Sequence, residues 1–187
     1  SNGITTFTGT SLQTIRFVNA IVSNSSGVIN FNGNISPVLN STSPPTFATL
    51  NVNNTAGINP SVGWNILVAF NIAAGASFNG GISTHNIRSS FTNNGIVTST
   101  GTLNFNPATA QNIQLRGATF SSTGIVIFGG AAALNVTGTP TSLNNVVIAN
   151  TAGVTPAAGW NISGDLYING SAIFNAGANT FTVGGDL

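Results

Sequence analysis

The chain has 187 residues, of which 41% are hydrophobic and only 3% are charged. A net charge near +1 argues against nucleic-acid binding, because such proteins carry a basic patch. The absence of Cys excludes disulfides and thiolate metal sites. No apolar run approaches the roughly 18 residues of a membrane helix, so we expect no insertion into a membrane. The charged residues are Arg16, Arg88, Arg116, Asp165 and Asp186.

Short alternations of apolar and polar residues recur along the whole chain. The longest runs from Trp64 to Ile72 and predicts one pleated strand with every second side chain on the same face. Helical spacing is not evident, and the helix formers Glu, Lys and Met do not occur. The sequence therefore predicts an all-β chain of short strands. The shorter alternations, each bounded by Gly, Asn, Ser, Thr or Pro, are Ile15–Phe17, Leu50–Val52, Leu103–Phe105, Ile113–Leu115, Val146–Ile148, Leu166–Ile168 and Phe181–Val183.

The chain contains a tandem repeat. The segment Pro45–Ile66 resembles Pro140–Ile162, and Trp64 and Trp160 lie 96 residues apart (160 − 64). At the start of the chain, Asn2-Gly3-Ile4 matches Asn94-Gly95-Ile96, 92 residues later (96 − 4). These matches divide the chain into a first repeat, residues 1–92, and a second repeat, residues 93–187, which we expect to form one continuous structure.

Two architectures accommodate repeats of about 95 residues. In a parallel, right-handed β-solenoid, or β-helix, turns of about 20 to 25 residues would give about four turns per repeat. In the alternative, each repeat would be an independent β-sandwich domain. Strands of three to five residues, Asn and Gly near the corners and the scarcity of charge favour the solenoid. There, Asn side chains can hydrogen-bond to the same group one turn away.

Several motifs resemble the repeats of a known group of proteins. Ser90–Asn106 (SFTNNGIVTSTGTLNFN), Leu143–Val154 (LNNVVIANTAGV) and Ala176–Leu187 (AGANTFTVGGDL) are similar to the Asn/Gly/Thr-rich strand repeats of very large secreted or cell-surface bacterial adhesins, often exported by the type IX route. The resemblance covers essentially the whole chain. It implies a rod-like stalk or fibre outside the cell, with no catalytic residues to carry over.

Catalytic and metal-binding chemistry lack their usual residues. Acid–base catalysis on polysaccharides needs clustered titratable groups, whereas this chain has Asp165, Asp186 and the single histidine His85. His85 lies next to Arg88 in a segment that differs between the repeats and is predicted to belong to a turn. Two Asp and one His do not form the usual metal clusters. We therefore expect neither an enzyme nor a bound cofactor.

The two tryptophans are the candidate binding residues for a glycan. Trp64 and Trp160 follow Gly at equivalent repeat positions, which is typical of a structural residue at the start of a strand. An exposed indole face would instead suit stacking on a pyranose, with the amides of Asn65 and Asn161 as hydrogen-bonding neighbours, so surface glycans are candidate partners. Regular ranks of outward Thr would favour a third possibility, an ice-binding surface.

The ends of the repeat array are predicted to be its interaction sites. A solenoid turn cannot cover its own apolar face, so a neighbouring turn must do so. We therefore expect a structural, non-enzymatic segment of an extracellular bacterial filament or adhesin stalk, at the cell surface. Its partners would be further copies of the repeat, in the same chain or in a head-to-tail homopolymer. The predicted junction residues are Ile4, Phe7, Ile15, Phe17, Phe174, Phe181, Val183 and Leu187.

Overall fold

The computed structural model describes residues 3–18 and 26–187, and within these ranges it contains strands and no helix. Each strand pairs in parallel with a strand of an adjacent turn, for example Ile4 with Val28 and Val28 with Thr49. The result is a β-solenoid of about eight turns. The predicted all-β parallel solenoid is confirmed. The alternative of two β-sandwich domains, which consist of antiparallel sheets, is wrong.

Each turn has three sides, here called A, B and C in chain order, and each side stacks on the same side of the neighbouring turns. Side A consists of β1 (Ile4–Gly9), β3 (Val28–Gly33), the second half of β5 (Thr46–Val52), the second half of β6 (Asn65–Ile72), β9 (Ser90–Asn93), β12 (Gln111–Gln114), β14 (Leu134–Thr137) and β16 (Val154–Pro156).

Sides B and C complete the turns. Side B consists of β2 (Thr14–Phe17), β4 (Val38–Ser41), β7 (Ser77–Asn79), β10 (Ile96–Ser99), the first part of β13 (Thr119–Phe128), the first part of β15 (Ser142–Ile148), β17 (Asn161–Ile162) and β19 (Thr182–Val183). Side C consists of the first parts of β5 and β6, β8 (Thr84–Ile87), β11 (Thr102–Phe105), the second parts of β13 and β15, and β18 (Leu166–Ile168).

Four of the longer strands bend around a corner between two sides. β5 and β6 continue from side C into side A, and β13 and β15 continue from side B into side C. The pairing register shifts at two of these corners, between Phe47 and Thr49 and between Ser122 and Ile125. The corner in β6 exposes Leu67 and Val68. The prediction that one face of a single strand runs unbroken from Trp64 to Ile72 is therefore wrong at this corner.

The sequence repeat does not span a whole number of turns. Ile66 lies on side C of its turn, whereas Ile162, 96 residues later, lies on side B. Phe78 on side B likewise corresponds to Phe174 on side A. Equivalent residues of the two repeats therefore lie four full turns and two further sides apart along the chain. The repeat is therefore longer than the expected four turns, and equivalent residues face directions that differ by two thirds of a turn.

At the start of the chain the equivalent residues differ from those matched in the sequence. Ile4 and Ile96, matched in the sequence alignment, lie four turns and only one side apart, in β1 and β10. Phe7 and Phe105 lie four turns and two sides apart, like the other equivalent pairs, at a spacing of 98 residues (105 − 7). Ile15 and Ile113 share this spacing of 98 (113 − 15). In structural terms β1 therefore corresponds to β11, and β2 corresponds to β12.

The core is a column of aromatic rings along the solenoid axis, surrounded by buried aliphatic side chains. Phe7 stacks on Phe31 at 5.2 Å between ring centroids, and Phe31 stacks on Trp64 at 5.8 Å. The contacts continue without a break to the last turn, and packing of this kind stabilises each turn against its neighbours. The later rings in the column are Phe78, Phe70, Phe91, Phe105, Phe128, Trp160, Phe174 and Phe181.

Outward-facing asparagines form the predicted ladders. In each ladder the side-chain amide nitrogen of one turn donates to the amide oxygen of the turn before it, which suits the spacing of parallel strands. Because each amide both donates and accepts, a ladder can continue through several turns. The ladders are Asn30–Asn51–Asn71 on side A, with distances of 2.7 and 2.8 Å, and Asn65–Asn86–Asn104 on side C, with distances of 3.0 and 3.1 Å.

A buried asparagine closes one corner in each repeat. Asn54 Nδ2 donates to the carbonyls of Asn32 (3.1 Å) and Ile35 (2.8 Å) in the preceding turn. Its Oδ1 accepts from the backbone N–H groups of Ala56 (2.9 Å) and Gly57 (3.1 Å). Asn150 makes the four corresponding bonds in the second repeat. One side chain therefore satisfies four backbone groups where the chain leaves a strand.

Replacing Asn54 by Ala should lower the free energy of unfolding by at least about 3 kcal/mol, because up to four backbone groups lose their partner. The matched control is Asn53→Ala, which removes one exposed hydrogen bond to Asn32 Oδ1 and should cost less than about 1 kcal/mol. Urea unfolding followed by tryptophan fluorescence measures both. Equal costs for the two variants would contradict the assigned role of Asn54.

Candidate functional site

The first turn presents one open end of the solenoid. Ile15 and Phe17 point into the core from β2, while Phe7 is half-buried and Ile4 is 73% exposed on β1. An open groove of about 590 Å³ lies along β2 and reaches Phe7. The four junction residues predicted at the start of the chain therefore all lie in the first turn.

The last turn presents the other end. Phe174, Phe181 and Val183 pack against the core but remain half-buried, and Leu187 is 88% exposed. β19 pairs with β17 on one edge, and among the described residues no strand pairs with its other edge. The four predicted junction residues at the end of the chain therefore come together on this terminal face.

In the first repeat, the residues equivalent to Phe174, Phe181 and Val183 are covered by a further turn. Phe174 corresponds to Phe78, Phe181 to His85, and Val183 to Ile87, and these three residues of the first repeat are fully buried. β10 pairs with β7 beside Phe78, and β11 pairs with β8, which contains His85 and Ile87. The exposure of the last turn is thus what remains when a turn of this repeat has no successor.

Both tryptophans are core residues. Trp64 and Trp160 are each 1% exposed, and each packs among aromatic rings, Trp64 against Phe47 at 5.1 Å and Trp160 against Phe128 at 5.2 Å. A buried ring offers no face to a pyranose, so the prediction of glycan stacking on the tryptophans is wrong. Trp160 Nε1 has no hydrogen-bond partner among the described residues.

The glycine before each tryptophan explains the repeated Gly-Trp-Asn-Ile motif. A side chain at Gly63 would collide with the backbone carbonyl of Thr84 in the next turn, and one at Gly159 would collide with that of Thr180. Glycine therefore allows two turns to approach closely where the indole enters the core. Of the asparagines that follow the two tryptophans, Asn65 belongs to the ladder on side C, whereas Asn161 is exposed on β17.

The two acidic residues lie together near the end of the chain. The backbone N–H of Asp186 donates to Asp165 Oδ1 at 2.9 Å. Arg16 is exposed on β2 in the first turn, while Arg88 and Arg116 are exposed in middle turns. The structure does not bring His85 to the acidic pair, since His85 lies in the fourth turn and Asp165 precedes β18 of the eighth. Among the described residues no group of three His, Asp, Glu or Cys could hold a metal ion.

His85 is a core residue and not the turn residue expected from the sequence. Its Nε2 lies 2.9 Å from the carbonyl of Gly80, and its Nδ1 accepts from the backbone N–H of Trp64 at 3.2 Å. These partners define a neutral ring with the proton on Nε2. Desolvation by burial lowers the pKa of His85 from its ordinary value of 6.5, although the hydrogen bond to Gly80 raises it in part.

The outer ranks of side chains are mixed. On side A, Thr6 is followed by Asn30, Asn51, Asn71 and Thr92. On side C, the Asn ladder is followed by Ile127, Val147 and Tyr167, and Tyr167 is 63% exposed. An ice-binding face needs a regular rank of outward Thr, so these ranks do not support that possibility.

Comparison with known proteins identified no relative. No protein-family model matches the chain, and neither the curated proteins nor the solved structures contain a match. In residues 3–18 and 26–187 no helix is long and apolar enough to cross a membrane.

Acid should weaken the fold through His85. Because the pKa of His85 is lower in the folded chain than its ordinary 6.5, the unfolded chain binds the extra proton first. The free energy of unfolding should therefore fall as the pH falls below about 6.5, until the folded pKa is reached. Urea midpoints at pH 7.5 and pH 5.0 measure the fall.

The matched variant is His85→Phe, since Phe181 occupies the corresponding position of the second repeat and makes the corresponding contacts with Trp160 and Phe174. The variant should lose most of the difference between the two pH values. A fall of the same size in the variant would assign the acid sensitivity to other groups.

Proposed function

We propose that this chain is a structural, non-enzymatic segment of an extracellular bacterial filament or adhesin stalk, in which copies of the repeat continue one another end to end. The observation that carries the proposal is the contrast between the last turn and its counterpart in the first repeat. Phe174, Phe181 and Val183 are half-buried at the end, whereas their counterparts are fully buried beneath the next turn. The ends are therefore built like interior turns.

The edges of the terminal strands support the same function. A parallel strand without a neighbour leaves backbone donors and acceptors available for another strand. Neither β1 nor β19 contains Pro or a charged residue, the residues that usually block such pairing. The aromatic column also reaches both ends, with Phe7 in the first turn and Phe181 in the last, so a further copy would extend it.

The location outside a bacterial cell comes from the resemblance of the Asn/Gly/Thr-rich motifs to bacterial surface repeats. A lateral carbohydrate-binding surface is the alternative function. Its best candidate is the exposed ring of Tyr167 beside Val147 on side C, because an exposed aromatic ring can stack on a sugar. We favour the structural function because both ends of the solenoid are open. The carbohydrate-binding alternative depends on one exposed ring, that of Tyr167.

Electron microscopy of the purified chain at increasing concentration tests the proposal. About eight turns at about 4.8 Å each make a rod of about 40 Å. Isolated copies have free ends whether the natural neighbour lies in the same polypeptide or in another chain. We therefore expect straight filaments that lengthen with concentration. Rods of single-chain length at every concentration would contradict end-to-end stacking.

Aspartate substitutions at the terminal face should shorten the filaments. Leu187→Asp places a charge on a side chain that is 88% exposed, so it should weaken assembly without lowering the melting temperature. Phe181→Asp should weaken assembly and also lower the melting temperature, because Phe181 contacts Trp160. The control is Ile82→Asp, since Ile82 is 90% exposed on a middle turn. Equal filament lengths in all three variants would contradict the assignment of the junction.

A further inference from the structure

The internal repeat contains a template for the junction between copies. In the first repeat β8 is covered by β11, with Ile87 paired with Phe105. The next strand, β9, is covered by β12, with Phe91 paired with Ile113. These two contacts show how a turn of this sequence accepts its successor.

Both halves of the template recur at the ends of the chain. Val183 in β19 corresponds to Ile87 in β8, and Leu187 corresponds to Phe91 in β9, each at a spacing of 96 residues (183 − 87 and 187 − 91). At the other end, β1 corresponds to β11 and β2 corresponds to β12. The part of the face formed by Val183 and Leu187 and the strands that cover it are therefore present at opposite ends of one chain, whereas β10, which pairs with β7 beside Phe78, has no counterpart within residues 1–187.

From this correspondence we infer the register of the junction: a second copy docks with its β1 on β19 and its β2 on Leu187. Phe7 of the second copy then covers Val183, as Phe105 covers Ile87, and Ile15 covers Leu187, as Ile113 covers Phe91. Because β1 belongs to side A and β19 to side B, the second copy is rotated by one side, about 120°, about the long axis. The inference rests on the proposed end-to-end assembly and specifies its geometry.

Charge complementarity supports this register. The only two acidic residues of the chain, Asp165 and Asp186, lie at one end, and the exposed Arg16 lies at the other. With Ile15 over Leu187, Arg16 and Asp186 are diagonal neighbours on the outer face, a spacing that long side chains can bridge. Tail-to-tail docking would instead bring two acidic pairs together, and head-to-head docking would bring two arginines together. The charges therefore favour head-to-tail docking in the rotated register.

An unrotated register is the competing geometry. There β1 of the second copy would continue the stack of strands on side A. The column that begins with Thr6, Asn30 and Asn51 reaches Gly177 in the last turn, so Thr6 would lie over Gly177. Arg16 would then lie over β19 on side B, away from the side that carries Leu187 and Asp186. The rotated register instead places Thr6 over Thr182. The two geometries therefore predict different neighbours for the same exposed residue of β1.

Engineered cysteines distinguish the registers, because the chain has none of its own. Neighbouring residues on stacked strands are about 4.8 Å apart, within the range of a disulfide. Thr6→Cys combined with Thr182→Cys should form a ladder of disulfide-linked oligomers on a non-reducing gel, removed by reductant. Thr6→Cys combined with Gly177→Cys should form few links, although Gly177 is exposed. Each single-cysteine variant can form at most dimers.

Electron microscopy of the same samples under reducing conditions separates failure of the register from failure of the assembly. A ladder from the Thr6–Thr182 pair alone supports the inference. Filaments with a ladder from the Thr6–Gly177 pair, or with no ladder from either pair, would overturn the register and leave end-to-end assembly standing. The absence of filaments in the unsubstituted chain and in both variants would overturn both.

A charge swap provides a second, independent test. Arg16→Glu should raise the protein concentration needed for filaments roughly fivefold, the effect of about 1 kcal/mol from one exposed pair. Combining it with Asp186→Arg should restore most of the loss, because the opposite charges again face each other across the junction. The control, Arg88→Glu, reverses a charge in a middle turn and should change nothing. A double variant no better than Arg16→Glu would contradict the contact between these two residues.

Discussion

Backbone hydrogen bonds along the solenoid axis hold each turn to the next. The N–H of Thr49 donates to the carbonyl of Gly27 at 3.1 Å, and that of Asn53 donates to Phe31 at 2.8 Å. Each bond joins one turn to the next, so a strand is satisfied only when turns lie on both sides of it. The interior turns meet this condition by themselves. The first and last turns do not, and for this reason the candidate function lies at the ends.

Axial stacking also accounts for the composition. Side chains on equivalent positions of successive turns lie about 4.8 Å apart, and a rank of like charges at that distance would repel. An amide avoids the repulsion because it donates to one neighbour and accepts from the other, as Asn51 does between Asn71 and Asn30. The scarcity of charge and the many asparagines therefore have one cause. The few charges that remain at the ends are available to orient a junction.

The two repeats show which details the fold tolerates. Phe181 in one repeat is replaced by His85 in the other, which keeps a ring against the tryptophan but adds a titratable group. The corner asparagines Asn54 and Asn150 keep all four hydrogen bonds in both repeats. Sequence inspection missed their role, although the shared Asn-Thr-Ala-Gly motif was a visible signal. A buried, fully bonded Asn and an exposed ladder Asn look the same in a sequence this rich in asparagine.

Residue order alone predicted the strands, the tandem repeat and the asparagine ladders, because alternation with a period of two and self-similarity are visible in it. It also indicated the residues that lie on the two end faces, since they stand at the chain termini. The folded chain was needed to choose the parallel solenoid over two sandwich domains, to bury both tryptophans, and to show that one repeat spans four turns and two sides. The three sides of a turn offer similar environments, so the residue order does not record which side a segment occupies. The side that a segment occupies follows from the number of residues in each corner before it. The same numbers set the rotation inferred at the junction.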